Sequence, residues 1–292
     1  MDDDEAIPAL PIISEDDLRY GQETGDYVPV FFEWYKFVGL LANYCARIRQ
    51  DSPALKPIEP QHFHLLIGLL NRCARLMHSN VALSHQRLFG ETTAIIDRCI
   101  FESALTVRWI CSGSIQERAK QFTANGLKTE IEFKKHIESN INDRSGQTWA
   151  IEKRMLRSID NQIEAAKLSA EEIISSKKMP DMASMLESLG HSRLAYVIWQ
   201  RIGSHHIHGT WPSLLVHYLE EVQAGVFGPR DHDCETHVNQ FVNTSLIVLE
   251  AVDSFVRCVV SNGEDMAQLI DRCDDATKRI VALFNDISKA DQ

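Results

Sequence analysis

The densest run of chemistry-capable side chains lies at 199–211, WQRIGSHHIHGTW. It holds Arg201, Ser204, His205, His206 and His208, and it ends at Gly209, with Pro212 three residues on. An imidazole exchanges protons near neutral pH, and a guanidinium stabilises charge growing on phosphoryl oxygens. The two together can do acid–base work on an anionic substrate. Read as one helix from Leu194 to about His208, the stretch puts Arg201 and His208 on one face, two turns apart at roughly 100° per residue. Ser204 and His205 fall near that face, whereas His206 points more than a quarter turn away. Leu194, Val197 and Ile198 share the Arg201 stripe, so the face starts apolar and turns polar toward Gly209.

A second polar group interrupts the segment 87–111, which is apolar nearly all round and reads as the central helix of a bundle. Arg98 and Glu102 stand one turn apart there and can pair. Glu102 flanks a stripe of Ile95, Cys99, Thr106 and Ile110, so the spacing predicts an inward carboxylate. The candidate catalytic residues are Arg201, His208, Ser204 and Glu102. Arg98, His205 and His206 are candidate binding residues. Two other readings stand beside this one. The histidines can simply satisfy free carbonyls at a helix end and pair with Glu102 or Asp233. Alternatively, His205, His206, His208, Asp231, His232, Asp233 and Cys234 can supply metal ligands, but their spacing matches no defined site. No metal and no cofactor is therefore expected. There is no Gly-rich phosphate loop, GxSxG, HExxH or zinc-finger spacing.

The spacing Arg201-x6-His208, and equally Arg201-x4-His206, resembles the Arg-x(4–6)-His motif of HEPN (higher eukaryotes and prokaryotes nucleotide-binding) domains. Where those motifs carry a polar residue after the arginine, this chain has Ile202. RCIFESAL at 98–105 and GSHHIHG at 203–209 also resemble an uncharacterised helical bacterial family, in which an Arg-x3-Glu helix precedes a Ser-x3-His-Gly segment. That similarity spans about residues 65–260. The HEPN resemblance implies metal-independent RNA cleavage at a homodimer interface, by an effector of a toxin or defence system. Under it, His208 removes the proton of a ribose 2′-hydroxyl, Arg201 stabilises the phosphoryl charge and Ser204 holds a phosphate oxygen. The alternative function is a noncatalytic helical binding or scaffold protein that uses the same polar pocket.

Apolar residues recur at helical spacing through nearly the whole chain, and no long period-2 run occurs. The expected fold is an all-α helical bundle. Residues 1–28 read as an acidic flexible tail able to dock through Ile12, Ile13 and Leu18. Residues 29–292 read as one domain, with a projecting antiparallel helical hairpin at about 115–178. Within that domain, helices are expected at about 29–50, 61–79, 87–111, 115–142, 148–176, 181–189, 194–208, 214–222, 235–260 and 264–288, with a loop at 225–233.

Of the formal net charge of −11, −6 falls in residues 1–19. The balance excludes a broad nucleic-acid surface, which needs a basic footprint, but leaves room for a local basic site. Seven cysteines, an odd number without a CxxC, read as core thiols of a reduced, cytoplasmic protein. The acidic start is no signal peptide, and no apolar run reaches the roughly 20 residues of a membrane span.

Overall fold

A helix that is apolar on most sides must be surrounded, and the segment at 90–111 is. The computed structural model describes residues 6–85, 88–197 and 202–290. Among those residues the fold is all-α, apart from one two-stranded hairpin and an isolated bridge between Leu55 and Val260. It divides into two compact units, one of 1–112 and 182–292 and one of 113–181.

In the first unit, α1 (Glu15–Thr24) packs on α2 (Val28–Ala46). α3 (Pro60–Ser84) and α4 (Gly90–Cys111) follow, and α2, α3 and α4 enclose the core together with α12 (Val238–Val259). Its centre is Phe31, Tyr35, Leu41, Phe63, Leu66, Ile100, Leu105 and Phe255, all fully buried. α4 runs parallel to α12: Thr93 meets Gln240 near the start of both helices, and Arg108 pairs with Glu250 further along, at 2.5 Å. α13 (Glu264–Ala290) closes on α12 and α2.

The second unit holds α5 (Ile115–Asp143), α6 (Ala150–Ala166) and α7 (Ala170–Ser175). α5 and α6 are antiparallel, tied by Lys134–Asp160 at 2.6 Å and by Arg144–Glu152. Leu127, Ile131 and Ile173 form its small core. The single helix expected over 148–176 is interrupted. Lys167 adopts a left-handed conformation at φ 50°, and Ser169 with Glu172 caps α7 afresh as a capping box.

Several expectations change in the first unit. Within the acidic tail, α1 forms because Ser14 caps it by accepting from the Asp17 N–H, and three carboxylates sit in its first turn, where the helix dipole favours them. Ile12, expected to dock, is 95% exposed. The stretch expected as one helix over 194–208 has α9 (Arg193–Tyr196) and α10 (Ile202–Ile207); residues 198–201 lie outside the described ones. α8 (Met182–Ser188) precedes them and packs on α4. The helix expected at 214–222 is instead α11 (Trp211–His217) followed by β1 (Leu219–Gln223), and the expected loop contains β2 (Val226–Pro229). The strands pair antiparallel, Leu219 opposite Pro229, around Gly225 at φ 75°. The Trp211 and Phe227 rings meet edge-on at 6.0 Å, anchoring the hairpin to α11. Among the described residues, no helix is long and apolar enough to cross a membrane.

The chain returns from this hairpin to the start of α4, where backbones touch. The Gly90 N–H donates to the Cys234 carbonyl at 2.8 Å. A Cβ on Gly90 would stand 2.4 Å from the Glu235 carbonyl oxygen, and neither partner is a side chain that can swing aside. Gly90→Ala is therefore expected to destabilise by about 1–3 kcal/mol in urea unfolding, as overpacking does. A variant as stable as the parent would contradict this close approach.

Candidate functional site

Between α4, α12 and the segment 206–237 lies a cavity of about 590 Å³, the size of a small-ligand site. α4 contributes Ala94, Asp97, Arg98 and Phe101, and α12 contributes Gln240, Asn243, Thr244 and Ile247. Each set recurs at three- and four-residue steps, so each is one helix face. His206 and His217 line the opposite wall.

Beside those histidines is a carboxylate that composition alone does not single out. Glu91, in the first turn of α4, is only 7% exposed. Its two oxygens accept hydrogen bonds from the Ser213 hydroxyl, itself 1% exposed, and the Tyr218 hydroxyl. Burial pushes the Glu91 carboxyl up. The two hydroxyls and the two imidazoles outweigh that and hold it below the ordinary carboxylate value. The bond to Glu91 raises the Tyr218 phenol in turn, so that group stays protonated as a donor.

His206 Nδ1 lies 3.8 Å from Glu91 Oε1, and the His206 and His217 rings meet edge-to-face at 5.0 Å. Burial lowers both imidazoles below the ordinary histidine value. The neighbouring ring lowers His206 further, while Glu91 pulls both back up. At neutral pH the arrangement is an ionised carboxylate beside two uncharged imidazoles, which can take, hold or return a proton within the cavity.

The other wall carries a second carboxyl in a different state. Asp97 accepts from Asn80 Nδ2 at 2.8 Å and from the Tyr35 hydroxyl at 3.3 Å, with Thr244 as a third partner. Enclosure by protein pushes it up to about 7, the hydrogen bonds offsetting only part of the cost. Asp97, which ionises near neutrality, thus lines the cavity, while Glu91, which ionises readily, stands behind His206 and His217 outside the lining. Environments that push two carboxyls apart in this way are the usual pattern where acid and base roles are divided.

The candidates read from sequence are distributed unevenly about this cavity. Arg201 lies outside the described residues. His206 is at the cavity, whereas His208 is exposed at the end of α10. His205 turns to Thr210, its Nδ1 2.7 Å from the hydroxyl. Ser204 is half-buried, and its carbonyl accepts from the His208 N–H. Arg98 and Glu102 pair at 2.6 Å; the Arg98 side chain is 11% exposed and lines the cavity, but that of Glu102 is 40% exposed. Glu102 thus reaches Arg98 from the helix edge rather than pointing inward. Among the described residues, no group of three or more His, Cys, Asp and Glu is placed to hold a metal ion.

Glu91, Asp97, Ser213, His217 and Tyr218 escaped the sequence reading. A usable signal was present: Glu91 and Arg98 are seven residues apart, on one face of the helix, and Asp97 stands next to Arg98.

The sequence pattern of the Family of unknown function (DUF5677) matches residues 63–225, more than half of the chain. The chain belongs to the DUF5677 family. No curated protein and no solved structure matches it. The matched stretch includes Glu91, Asp97, Arg98, His206, Ser213, His217 and Tyr218, while the α12 wall of the cavity lies beyond it.

A carboxyl raised in the fold stabilises it while protonated. The Asp97 contribution is full below about pH 4, its unfolded value, and is lost as pH rises through about 7. Asp97→Asn cannot ionise, so the decline of its Tm over that window should be shallower than the parent's. Equal slopes in thermal scans would contradict the assignment.

Proposed function

We propose that this DUF5677 chain is a HEPN-like endoribonuclease whose proton-transfer groups are His206 and His217. The observation that carries the reading is the pair of imidazoles, 5.0 Å apart with Glu91 behind them, on the wall of a cavity large enough for a nucleotide. The spacing Arg201-x4-His206 supports it, since that alternative form of the motif selects the histidine at the cavity.

The reaction needs one neutral and one protonated imidazole. Neutral His206 takes the proton of the ribose 2′-hydroxyl, and the 2′-oxygen attacks phosphorus. The bond from phosphorus to the 5′-oxygen breaks, and that oxygen takes a proton from protonated His217. The products are a 2′,3′-cyclic phosphate and a 5′-hydroxyl. Arg201, in the role that the HEPN resemblance gives it, stabilises the charge on the phosphoryl oxygens. Glu91 is a positioning residue, which holds the imidazoles in place and, by its charge, keeps their proton affinity from falling further. A homodimer that brings two such motifs together, RNA as the partner, a cytoplasmic location, and a role as a toxin or defence effector belong to the same reading.

Repulsion between the two rings opposes the doubly protonated state, so the working singly protonated pair is populated below the ordinary histidine value of about 6.5. Cleavage should therefore be fastest on the acid side of that pH, and Glu91→Gln should move the maximum lower still. Removing the carboxylate removes the charge that raises both imidazoles. His206→Gln and His217→Gln should each lose roughly 10²–10⁴-fold in rate, while exposed His208→Ala stays within a few-fold. DNA, lacking the 2′-hydroxyl, should be inert. The check is an assay on a mixed RNA pool with end-group analysis of the products, on variants shown by thermal scans to be folded. An inactive parent, or a fully active His206→Gln, would reject the reading.

A second reading, a noncatalytic pocket for a small ligand, is favoured by the apolar part of the lining, Ala94, Phe101, Val216 and Ile247. It predicts ligand-induced stabilisation without RNA cleavage.

A further inference from the structure

The far ends of the two helices that wall the cavity carry a feature that RNA cleavage does not use. α4 ends on Cys111, and Cys258 is the next-to-last residue of α12. The parallel register brings them together. Thr93 with Gln240, Asp97 with Thr244, and Cys111 with Cys258 all meet at the same offset of 147 residues. There the two thiols are close enough to interact directly. Both are half-buried, so solutes can reach them, unlike the fully enclosed Cys45, Cys73 and Cys273.

The pair is also polarised. A loop from the α2–α3 connection is stitched to the end of α12: the Lys56 N–H donates to the Val259 carbonyl at 2.8 Å, and Lys56 Nζ donates to the Arg257 carbonyl at 2.6 Å. An ammonium is thereby fixed beside Cys258. The neighbouring Cys258 raises the Cys111 thiol, as burial does, whereas Cys111 and the Lys56 charge together lower Cys258 against the effect of burial. The thiolate is the nucleophile in sulfur exchange, and a neighbouring cation favours it.

We propose that Cys111 and Cys258 form a redox-active dithiol that a low-molecular-weight disulfide oxidises to an intrachain disulfide, stapling α4 to α12. In the first step the Cys258 thiolate attacks one sulfur of the small disulfide, forming a mixed disulfide and expelling one small thiolate. Cys111 then gives up its proton to solvent and attacks the Cys258 sulfur, expelling the second thiolate. The protein loses two electrons and two protons, and the small disulfide leaves as two thiols. Cys45 and Cys273 provide an internal contrast: they too are neighbours, but both are buried, and burial pushes the Cys273 thiol up to about 12. They should stay reduced.

The test uses the full chain treated with oxidised glutathione, digested without reduction and mapped by mass spectrometry. The expected result is a cross-linked peptide pair joining Cys111 to Cys258, with a loss of two hydrogens in intact mass and full reversal by dithiothreitol. The oxidised chain should also melt at a higher temperature. Cys111→Ser should stop at the first step, trapping a glutathione adduct on Cys258, whereas Cys258→Ser should form no adduct on Cys111 at matched exposure. The parent chain alone decides the main point. Both thiols alkylated by iodoacetamide yet never cross-linked, cross-links confined to other cysteines, or no reaction at either thiol would each overturn the proposal. An adduct on Cys111 in Cys258→Ser that forms as fast as the parent's cross-link would overturn the order of attack.

Discussion

A carboxylate buried at the first turn of a central helix has to be satisfied, and in this chain the satisfaction of Glu91 organises the site. Its partners, Ser213 and Tyr218, sit at the two ends of one short segment, α11 and the residue after it. Leaving Glu91 ionised without them would cost several kcal/mol. With them, α11 is fixed against α4, and His217, the last residue of α11, stands beside Glu91. α10 packs on the same end of α4 and delivers His206 to the same carboxylate. The histidines thus stand near an anion, with His206 Nδ1 3.8 Å from Glu91 Oε1, beyond hydrogen-bonding distance. Its field bears on their charge state, because burial drives both imidazoles toward neutrality and Glu91 limits how far they go.

The cavity exists because α4 and α12 run parallel and keep their polar residues in step. Asn80, Tyr35 and Thr244 converge on Asp97, and Thr93 sits among Gly90, Thr236 and Gln240, all between well-packed helices. Such networks fix one helix register against its neighbours, since a shift by a turn would strand every member. Gly90 is the tight point of that register: the strand-to-helix return at 234–235 comes too close for any side chain.

The helical fold was legible because apolar residues recur at 3.6-residue spacing over long segments. α3, α4, α5, α12 and α13 lie within a few residues of where that spacing puts them. The hairpin at 219–229 was not legible. LEEVQ and VFGP are too short to show a period, and what makes them strands is their pairing around Gly225 and the Trp211–Phe227 contact, both tertiary facts. The candidate site was legible in part. The histidine-rich stretch does contain a cavity residue, but extending one ideal helix from Leu194 favoured His208 over His206, and His208 is exposed at the end of α10 while His206 lines the cavity. Glu91 and Asp97 stayed hidden because their meaning depends on Ser213, Tyr218, Asn80 and Tyr35, from 17 to 127 residues away. Glu102 looked inward by its stripe, yet pairing with Arg98 draws it to the helix edge.

The claim on which the site depends is that, at neutral pH, an ionised Glu91 stands beside two uncharged imidazoles. NMR titration of the His206 and His217 ring protons, assigned through the two glutamine variants, measures this without reference to any substrate. Both rings should titrate with midpoints below the ordinary histidine value, and both midpoints should fall further in Glu91→Gln. Midpoints at or above the ordinary value, or midpoints unmoved by the loss of the carboxylate, would contradict the account.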